Sequence, residues 1–112
     1  MHELAITRNI VAIVGDAAQR RRVTRVTLEI GKLSGVMADA VAFCFDIVAQ
    51  GTALAGARLD IEEVDGRARC GDCGGEFALP HLAASCPCGS HRFMPIRGEE
   101  LKIRTMDIEE AA

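Results

Sequence analysis

The apolar residues in the first third of the chain follow two different periods. From about Leu4 to about Ala18 they recur at steps of three and four, which predicts an amphipathic helix. From about Val23 to Ile30 they occupy every second position, which predicts a strand with one buried and one solvated face. The residues expected on these buried faces are Ile6, Ile10, Ile13, Val14 and Ala17 of the helix and Val26, Leu28 and Ile30 of the strand.

Three further elements follow the same logic. A second helix is predicted from about Met37 to Gln50, and Gly51 suits the left-handed residue that follows a helix end. Alternation predicts a strand from about Ala57 to Val64 and a last strand from about Glu100 to Ile108, where a slip of phase near Thr105 indicates a bulge. The face that the second helix buries is expected to carry Val41, Cys44, Phe45 and Val48.

The segment from Gly66 to Gly98 has neither period and is instead rich in glycine, cysteine and proline. The order along the chain is therefore helix, strand, helix, strand, cysteine module, strand. Two helices covering one face of a three-stranded sheet are the economical packing for such an order. The pattern predicts an α+β fold: two helices packed on a three-stranded mixed sheet, with an inserted four-cysteine module.

Composition limits the function classes. The chain has 112 residues, enough for one domain or one domain with a small insert, and its 13 basic and 16 acidic residues give a formal charge of −3. This balance gives no electrostatic reason to expect nucleic acid or an anionic membrane as a partner. The run Arg20-Arg21-Arg22 is interpreted as a solvated helix end rather than a binding patch.

The amino-terminal residues and the cysteines indicate the compartment. The start Met1-His2-Glu3-Leu4 lacks the basic region and long apolar stretch of a secretory signal, and no segment is long enough to cross a bilayer. We therefore expect a cytoplasmic protein. In that reducing compartment, clustered cysteines are typical of metal ligation rather than of disulfides.

Four of the five cysteines form two close pairs, Cys70-Gly-Asp-Cys73 and Cys86-Pro-Cys88. Zn²⁺ accepts four thiolates tetrahedrally, and the glycine that follows each pair lets backbone N–H groups turn towards the sulfurs. Four cysteines leave no open coordination position, so the site is predicted to be structural. Rubredoxin-like iron and an iron–sulfur cluster are the alternatives for the same ligands.

The second pair is one residue shorter than the usual pair, and this spacing leaves the ligand set open. One sulfur of Cys86 and Cys88 could be displaced, and His81 or His91 could replace it, although an exposed loop residue is the favoured interpretation of each histidine. Cys44 stands apart from the pairs on the second predicted helix and is interpreted as a small buried hydrophobic residue.

The first residues offer a second set of metal donors. The α-amine of Met1, the amide nitrogen and imidazole of His2, and the amide nitrogen of Glu3 can lie in one plane. Square-planar nitrogen sets select Ni²⁺ or Cu²⁺ over Zn²⁺. Such a site requires a free terminus, because any extension converts the amine into an amide. Taken alone, a histidine at position two is more often simply exposed.

Several of these features together resemble one family. The start Met-His-Glu, the segment from Leu28 to Val36 (Leu-Glu-Ile-Gly-Lys-Leu-Ser-Gly-Val), the paired cysteines with Cys-Pro before Cys-Gly-Ser, and Gly98-Glu-Glu-Leu101 are similar to the HypA family of hydrogenase and urease nickel incorporation proteins. The resemblance extends over essentially the whole chain in the right order. The cysteine pair at 86–88 departs from the family pattern by one residue.

The resemblance implies a nickel-binding α/β domain of residues 1–66, completed by the last strand in 98–112, and a zinc-binding module of residues 67–97. It implies that His2 is the principal nickel ligand, with Met1 and Glu3 close by, and that Cys70, Cys73, Cys86 and Cys88 hold zinc. Ni(II) is then transferred cargo and Zn(II) a structural cofactor. The implied partners are a HypB-type GTPase, the large subunit of [NiFe]-hydrogenase and, in some organisms, urease maturation proteins. The expected state is a monomer or weak homodimer.

Two other classes of protein compete with this interpretation. A zinc-ribbon module that binds other proteins has no nickel role, and a small redox protein would carry iron in the four-thiolate site. No nucleophile–base pair, phosphate loop or acid–base carboxylate pair is evident, so no enzymatic activity is predicted.

Overall fold

The computed structural model describes residues 2–110. Its elements are α1 Glu3–Ala17, β1 Val23–Gly31, α2 Ala38–Val48, β2 Arg58–Val64, β3 Arg67–Cys70, β4 Glu76–Ala78, β5 Phe93–Arg97 and β6 Leu101–Ile108. Among the described residues, neither helix has the length and apolar character needed to span a membrane.

The first sheet has the strand order β2-β1-β6. Strand β1 pairs in parallel with β2 and antiparallel with β6, so the predicted mixed three-stranded sheet is confirmed. Helix α2 forms the crossover that a parallel pair requires. Thr27 faces Thr105 while Leu28 faces Ile103, which leaves Arg104 as an extra residue on β6. The bulge predicted near Thr105 is therefore confirmed.

Both helices pack into one core with the first sheet, but the buried face of α1 differs from the prediction. Val11 and Val14 are buried, whereas Ile13 is 57% exposed. Ala17 is exposed and Ala18 is buried in its place. Because α1 carries apolar residues around more than half of its circumference, periodicity alone does not fix its rotation. The core comprises Ile10, Val11, Val14, Ala18, Val23, Val26, Leu28, Ile30, Val41, Phe45, Ala49 and Leu54.

Helix α2 matches its predicted face more closely. Val41 and Phe45 are buried, and Cys44 and Val48 are half-buried. Gly51 follows the helix with φ +76°, the left-handed conformation expected there.

The cysteine segment folds into a second sheet that the sequence did not predict. It is antiparallel, with the order β4-β3-β5. A small core of Ala68, Phe77 and Leu79 lies against it, and the rings of Phe77 and Phe93 meet edge to face at 5.7 Å between centroids. Strands of three to five residues leave too few positions for alternation to be recognised.

Three glycines form the junction between the two sheets. Gly98 has φ +112°, and a Cβ on it would lie 2.6 Å from the Cα of Gly66. A Cβ on Gly31 would lie 1.9 Å from the carbonyl oxygen of Gly98. The N–H of Leu33 donates to that oxygen at 2.7 Å, and the side chain of Leu33 packs against the second core. The backbones touch here, so no side chain fits.

Candidate metal centre

The four paired cysteines meet at one end of the second sheet. Their Sγ atoms all lie within 4.8 Å of one another, with Cys70 and Cys88 at 3.7 Å and Cys73 and Cys86 at 3.6 Å. Sulfurs placed tetrahedrally around Zn²⁺ at about 2.3 Å are about 3.8 Å apart. The cluster therefore has the ligand type and the spacing that zinc requires.

Backbone N–H groups support the first pair of cysteines. Those of Asp72 and Cys73 each donate to Sγ of Cys70 at 3.4 Å, and that of Gly75 donates to Sγ of Cys73 at 3.4 Å. Gly74 makes this turn with φ +74°. The predicted tight turn with N–H groups directed at sulfur is confirmed in this pair. Such donors stabilise negative charge on thiolates.

The thiols respond differently to this environment. The N–H groups of Cys73 and Asp72 lower the pKa of Cys70 to about 6. The pKa of Cys86 is raised to about 12, although the N–H of Cys88 favours its thiolate, because burial and the neighbouring thiols oppose ionisation. Four adjacent thiolates at neutral pH therefore require a cation among them.

The short second pair brings both of its sulfurs into the cluster. Gly89 has φ +94°, and its N–H donates to the carbonyl of Cys86 at 2.8 Å. This turn is one residue shorter than the turn of the first pair, in which the N–H of Gly74 donates to the carbonyl of Cys70. Within residues 2–110, the only group of three or more side chains that can hold a metal ion consists of the four cysteines. His81 and His91 are exposed and lie outside that group.

Polar contacts tie the two cysteine pairs together. The hydroxyl of Ser90, which follows the second pair, donates to the carboxylate of Asp72 in the first. The guanidinium of Arg92 lies 3.5 Å from the same carboxylate, and the N–H of Arg92 donates to Oγ of Ser90 at 3.0 Å. These contacts fix the position of the two cysteine turns relative to each other.

The amino-terminal donors lie far along the chain from this cluster, at the start of α1. His2 is the N-cap residue of α1, its side chain is exposed, and it makes no capping hydrogen bond. Met1 lies outside the described residues. The N–H groups in the first turn of a helix have no acceptor within the helix, so the backbone nitrogens near His2 are not committed to helical hydrogen bonds.

Glu3 is buried, with 9% of its surface exposed, whereas His2 is exposed. Its carboxylate accepts the N–H of Met37, the N-cap residue of α2, at 3.0 Å. This hydrogen bond, with a smaller contribution from the N–H of Glu3 itself, holds the pKa of the carboxyl below its ordinary value of 4.5. The hydroxyl of Thr7 donates to the carbonyl of Glu3 at 2.7 Å. The side chain of Glu3 thus connects the starts of the two helices.

Sequence reasoning missed this role of Glu3 because the two residues are 34 positions apart. An acidic residue in the first turn of a helix is typical of interactions with that helix's own N-terminus. The sequence pattern does not indicate that its carboxylate accepts a hydrogen bond from the start of a second helix. Cys44, which was predicted to be a small buried hydrophobic residue, is only half-buried on α2 and is not part of the cluster.

Comparisons with known proteins identify relatives of this chain. The profile of one protein family, described as "Hydrogenase/urease nickel incorporation, metallochaperone, hypA", matches residues 1–108. Hydrogenase maturation factor HypA of Nostoc sp. is 56% identical over 110 residues, which cover 98% of this chain and 97% of the relative. The factor of the same name from Geobacter metallireducens is 46% identical over 110 residues, covering 97% of this chain and all of the relative.

Two solved structures share the fold. One, described as the solution structure of HypA protein, has a TM-score of 0.70 and 22% identity and covers 97% of both chains. The other, the solution structure of the Ni metallochaperone HypA from Helicobacter pylori, has a TM-score of 0.66 and 20% identity, covering 96% of this chain and 97% of that one. The predicted fold class, with its inserted cysteine cluster, is confirmed.

Proposed function

From the premise that this chain belongs to the HypA family of nickel metallochaperones for hydrogenase maturation, we propose that it binds Ni(II) at its first residues. The cargo is then transferred to the large subunit of [NiFe]-hydrogenase. The observation that carries this proposal is the family match across residues 1–108, which includes the start Met-His-Glu. The exposed, uncapped imidazole of His2 supports it, because a delivery site must be reachable by the recipient.

Backbone nitrogens and the His2 imidazole are the proposed donors of this site, together with the amine of Met1. The Glu3 carboxylate already accepts the N–H of Met37, so we assign Glu3 a ligand role through its amide nitrogen, which would give up its hydrogen bond to the same carboxylate when nickel replaces the amide proton. Its negative charge near the helix start offsets the partial positive charge that disfavours a cation there.

Cys70, Cys73, Cys86 and Cys88 would hold Zn(II) as a structural ion in the module of residues 67–97. The sulfur spacing and the N–H groups directed at Cys70 and Cys73 support this assignment. A bound zinc ion would cross-link the two cysteine turns. The remaining residues, 1–66 with 98–112, would form the nickel-binding domain, since they contain the other sheet and both helices.

The proposed setting follows from the family. The partners are a HypB-type GTPase and the hydrogenase large subunit, with urease maturation proteins as further recipients. The protein acts in the cytoplasm as a monomer or weak homodimer, and it transfers its cargo without covalent catalysis.

One extra residue before Met1 is the sharpest test of the nickel site. The extension converts the α-amine into an amide and removes one donor, so we expect Ni²⁺ affinity to fall at least tenfold while one equivalent of Zn²⁺ is retained. Isothermal titration with Ni²⁺ and metal analysis for Zn²⁺ measure both. Replacement His2→Ala is expected to have the same effect, and His81→Ala, which removes another exposed histidine, is the matched control.

Equal nickel affinity in the extended and native chains would reject the amino-terminal site and favour the protein-interaction module without a nickel role. A coloured protein with iron in the four-thiolate site would instead support the redox alternative.

Replacement Glu3→Gln is expected to destabilise the fold at pH 7 while leaving nickel affinity within a few-fold of the original. The Met37 N–H stabilises the charged carboxylate and lowers its pKa. The stabilisation is therefore complete above the ordinary value of 4.5 and is lost as pH falls through the lower folded value. Thermal melts of the two proteins should differ most near neutrality and converge in acid.

The matched control for this comparison is Glu110→Gln, an exposed carboxylate beyond β6. A constant difference in melting temperature from pH 7 to pH 3 would contradict the charged capping interaction. A loss of nickel binding of a hundredfold or more would show that the carboxylate itself is a ligand.

A further inference from the structure

The module of residues 67–97 has the opposite charge to the rest of the protein. It contains four arginines and two acidic residues, for a net charge of +2, whereas the remaining residues sum to −5. The overall charge of −3 conceals this division. A charge asymmetry of this kind directs oppositely charged partners to one end of a molecule.

The arginines surround exposed apolar residues on the outer face of the second sheet. Ala68 and its cross-strand partner Phe77 point into the core, so Arg67 and Arg69, which flank Ala68 on β3, occupy the other side of the sheet. Met94 lies opposite Arg69 and is 69% exposed, and Ile96 beside it is 42% exposed. A shallow groove of about 510 Å³ runs along this side and is lined by Arg69, Cys70, Gly71, Arg92, Phe93, Met94 and Ile96. We call this surface the arginine–methionine face.

Two of the four arginines have an acidic partner within the described residues, and two do not. Arg69 pairs with Glu76 at 3.1 Å and Arg92 with Asp72 at 3.5 Å. Arg67 and Arg97 stand directly opposite each other on β3 and β5, and within residues 2–110 neither has an acidic partner. Like charges opposite each other on neighbouring strands destabilise a sheet. A bound carboxylate would relieve that repulsion.

A ligand cannot readily extend this sheet by adding a strand at β5. Strand β5 is an edge strand, but Pro95 lacks an N–H and the register shifts beside Ile96. Beside β5, the exposed face of the sheet is therefore the surface that a ligand would contact. Phe93 lines the groove, but its ring packs edge to face against the buried Phe77, so the face offers no series of exposed aromatic rings on which successive nucleic-acid bases could stack.

We propose that the arginine–methionine face docks an acidic segment of a partner protein, with an apolar side chain in the groove against Met94 and Ile96 and carboxylates on Arg67 and Arg97. This role goes beyond nickel binding and does not depend on it. The module then selects the partner, while the amino terminus carries the cargo. Because the contact area is small and charged, the interaction is transient and weakens with salt.

The test uses the full-length, zinc-loaded protein and a fluorescein-labelled ten-residue peptide with six carboxylates and two leucines. Fluorescence anisotropy should detect saturable binding that the double replacement Arg67→Glu with Arg97→Glu weakens by about tenfold or more. The control, Arg8→Glu with Arg20→Glu, makes the same charge change at exposed positions on and just after α1 and should bind within about twofold of the original.

Methyl NMR locates the contact. With ¹³C-labelled methionine methyl groups, the Met94 signal should shift on titration, while Met37, which is 64% exposed at the start of α2, should not. No binding at millimolar peptide, equal binding by a lysine-substituted peptide, or tighter binding of oligothymidine would each overturn the proposal. So would an unmoved Met94 signal, or equal losses in the two double variants.

Discussion

Replacement Cys70→Ser is expected to abolish stoichiometric zinc binding and to unfold residues 67–97, while the sheet β2-β1-β6 and its helices keep their fold. Cys70 is 2% exposed and its Sγ accepts two backbone N–H groups, and within residues 2–110 no side chain other than the four cysteines belongs to a group that can hold a metal ion. The module buries only Ala68, Cys70, Phe77, Leu79 and Cys86. A core of that size needs the free energy of metal binding, on the order of 10 kcal/mol for structural zinc peptides.

Metal analysis together with an amide ¹H–¹⁵N spectrum measures both parts of this result. Signals of residues 67–97 should collapse into the narrow range of an unfolded chain, and those of α1, α2 and the first sheet should stay dispersed. Cys44→Ser is the matched control, because Cys44 is half-buried on α2 and outside the cluster, and it should retain one equivalent of zinc. Retained zinc in Cys70→Ser, or collapse of the whole spectrum, would contradict the expectation.

Replacement Gly66→Ala is expected to lower the free energy of unfolding by about 3 kcal/mol or more. A Cβ at this position would lie 2.2 Å from the carbonyl oxygen of Leu79 and 2.8 Å from Cδ1 of Leu33. The N–H of Leu79 also donates to the carbonyl of Gly66 at 2.9 Å, so the two backbone segments cannot separate without losing a hydrogen bond. Backbone atoms on the opposing side leave no rotamer change that relieves the clash.

Gly15→Ala is the matched control for the junction. Gly15 lies within α1, and the nearest atom to an added Cβ is Cδ1 of Leu54 at 3.9 Å, an ordinary contact. An alanine in a helix interior is favoured over glycine by roughly 0.5–1 kcal/mol, so this variant should be more stable than the original. Urea denaturation compares the two variants, and a Gly66→Ala protein as stable as the original would refute the close packing at the junction.

The sequence predicted the elements of the first sheet because they are long enough to show a period. Strand β1 and helix α2 each display several residues of one face, and the bulge in β6 appeared as a slip in that alternation. The predicted rotation of α1 was wrong at Ile13 and Ala17, since that helix has apolar residues on two sides and only its packing against α2 and the first sheet decides which are buried.

The candidate metal cluster was predictable for a different reason. Two close cysteine pairs, each followed by glycine, are typical of metal sites, so their spacing alone indicated candidate ligands. The short pair at Cys86 and Cys88 left the ligand set open in the sequence, and the geometry brings both sulfurs to the other two. The β-strands that frame the cluster were not predictable, because they have three to five residues and are interrupted by Pro95.

Contacts between residues that are far apart in the chain could not be predicted from the sequence pattern. The carboxylate of Glu3 on the N–H of Met37, and the meeting of Gly31, Gly66 and Gly98, depend on the tertiary arrangement. Each glycine taken singly looks like an ordinary turn residue. Their shared role is evident only in the structure, where the segment that enters the cysteine module at Gly66 and the segment that leaves it at Gly98 are in contact.

The placement of β6 after the cysteine module has a consequence for the order of assembly. Strand β1 gains its antiparallel neighbour only once residues 65–100 have been made, so a nascent chain must close that long loop to complete the first sheet. A folded module brings Gly66 and Gly98 together and shortens the loop to a few residues, which lowers the entropic cost of closure by about 2 kcal/mol. An ion bound by the four thiolates therefore assists the pairing of a sheet that it does not touch.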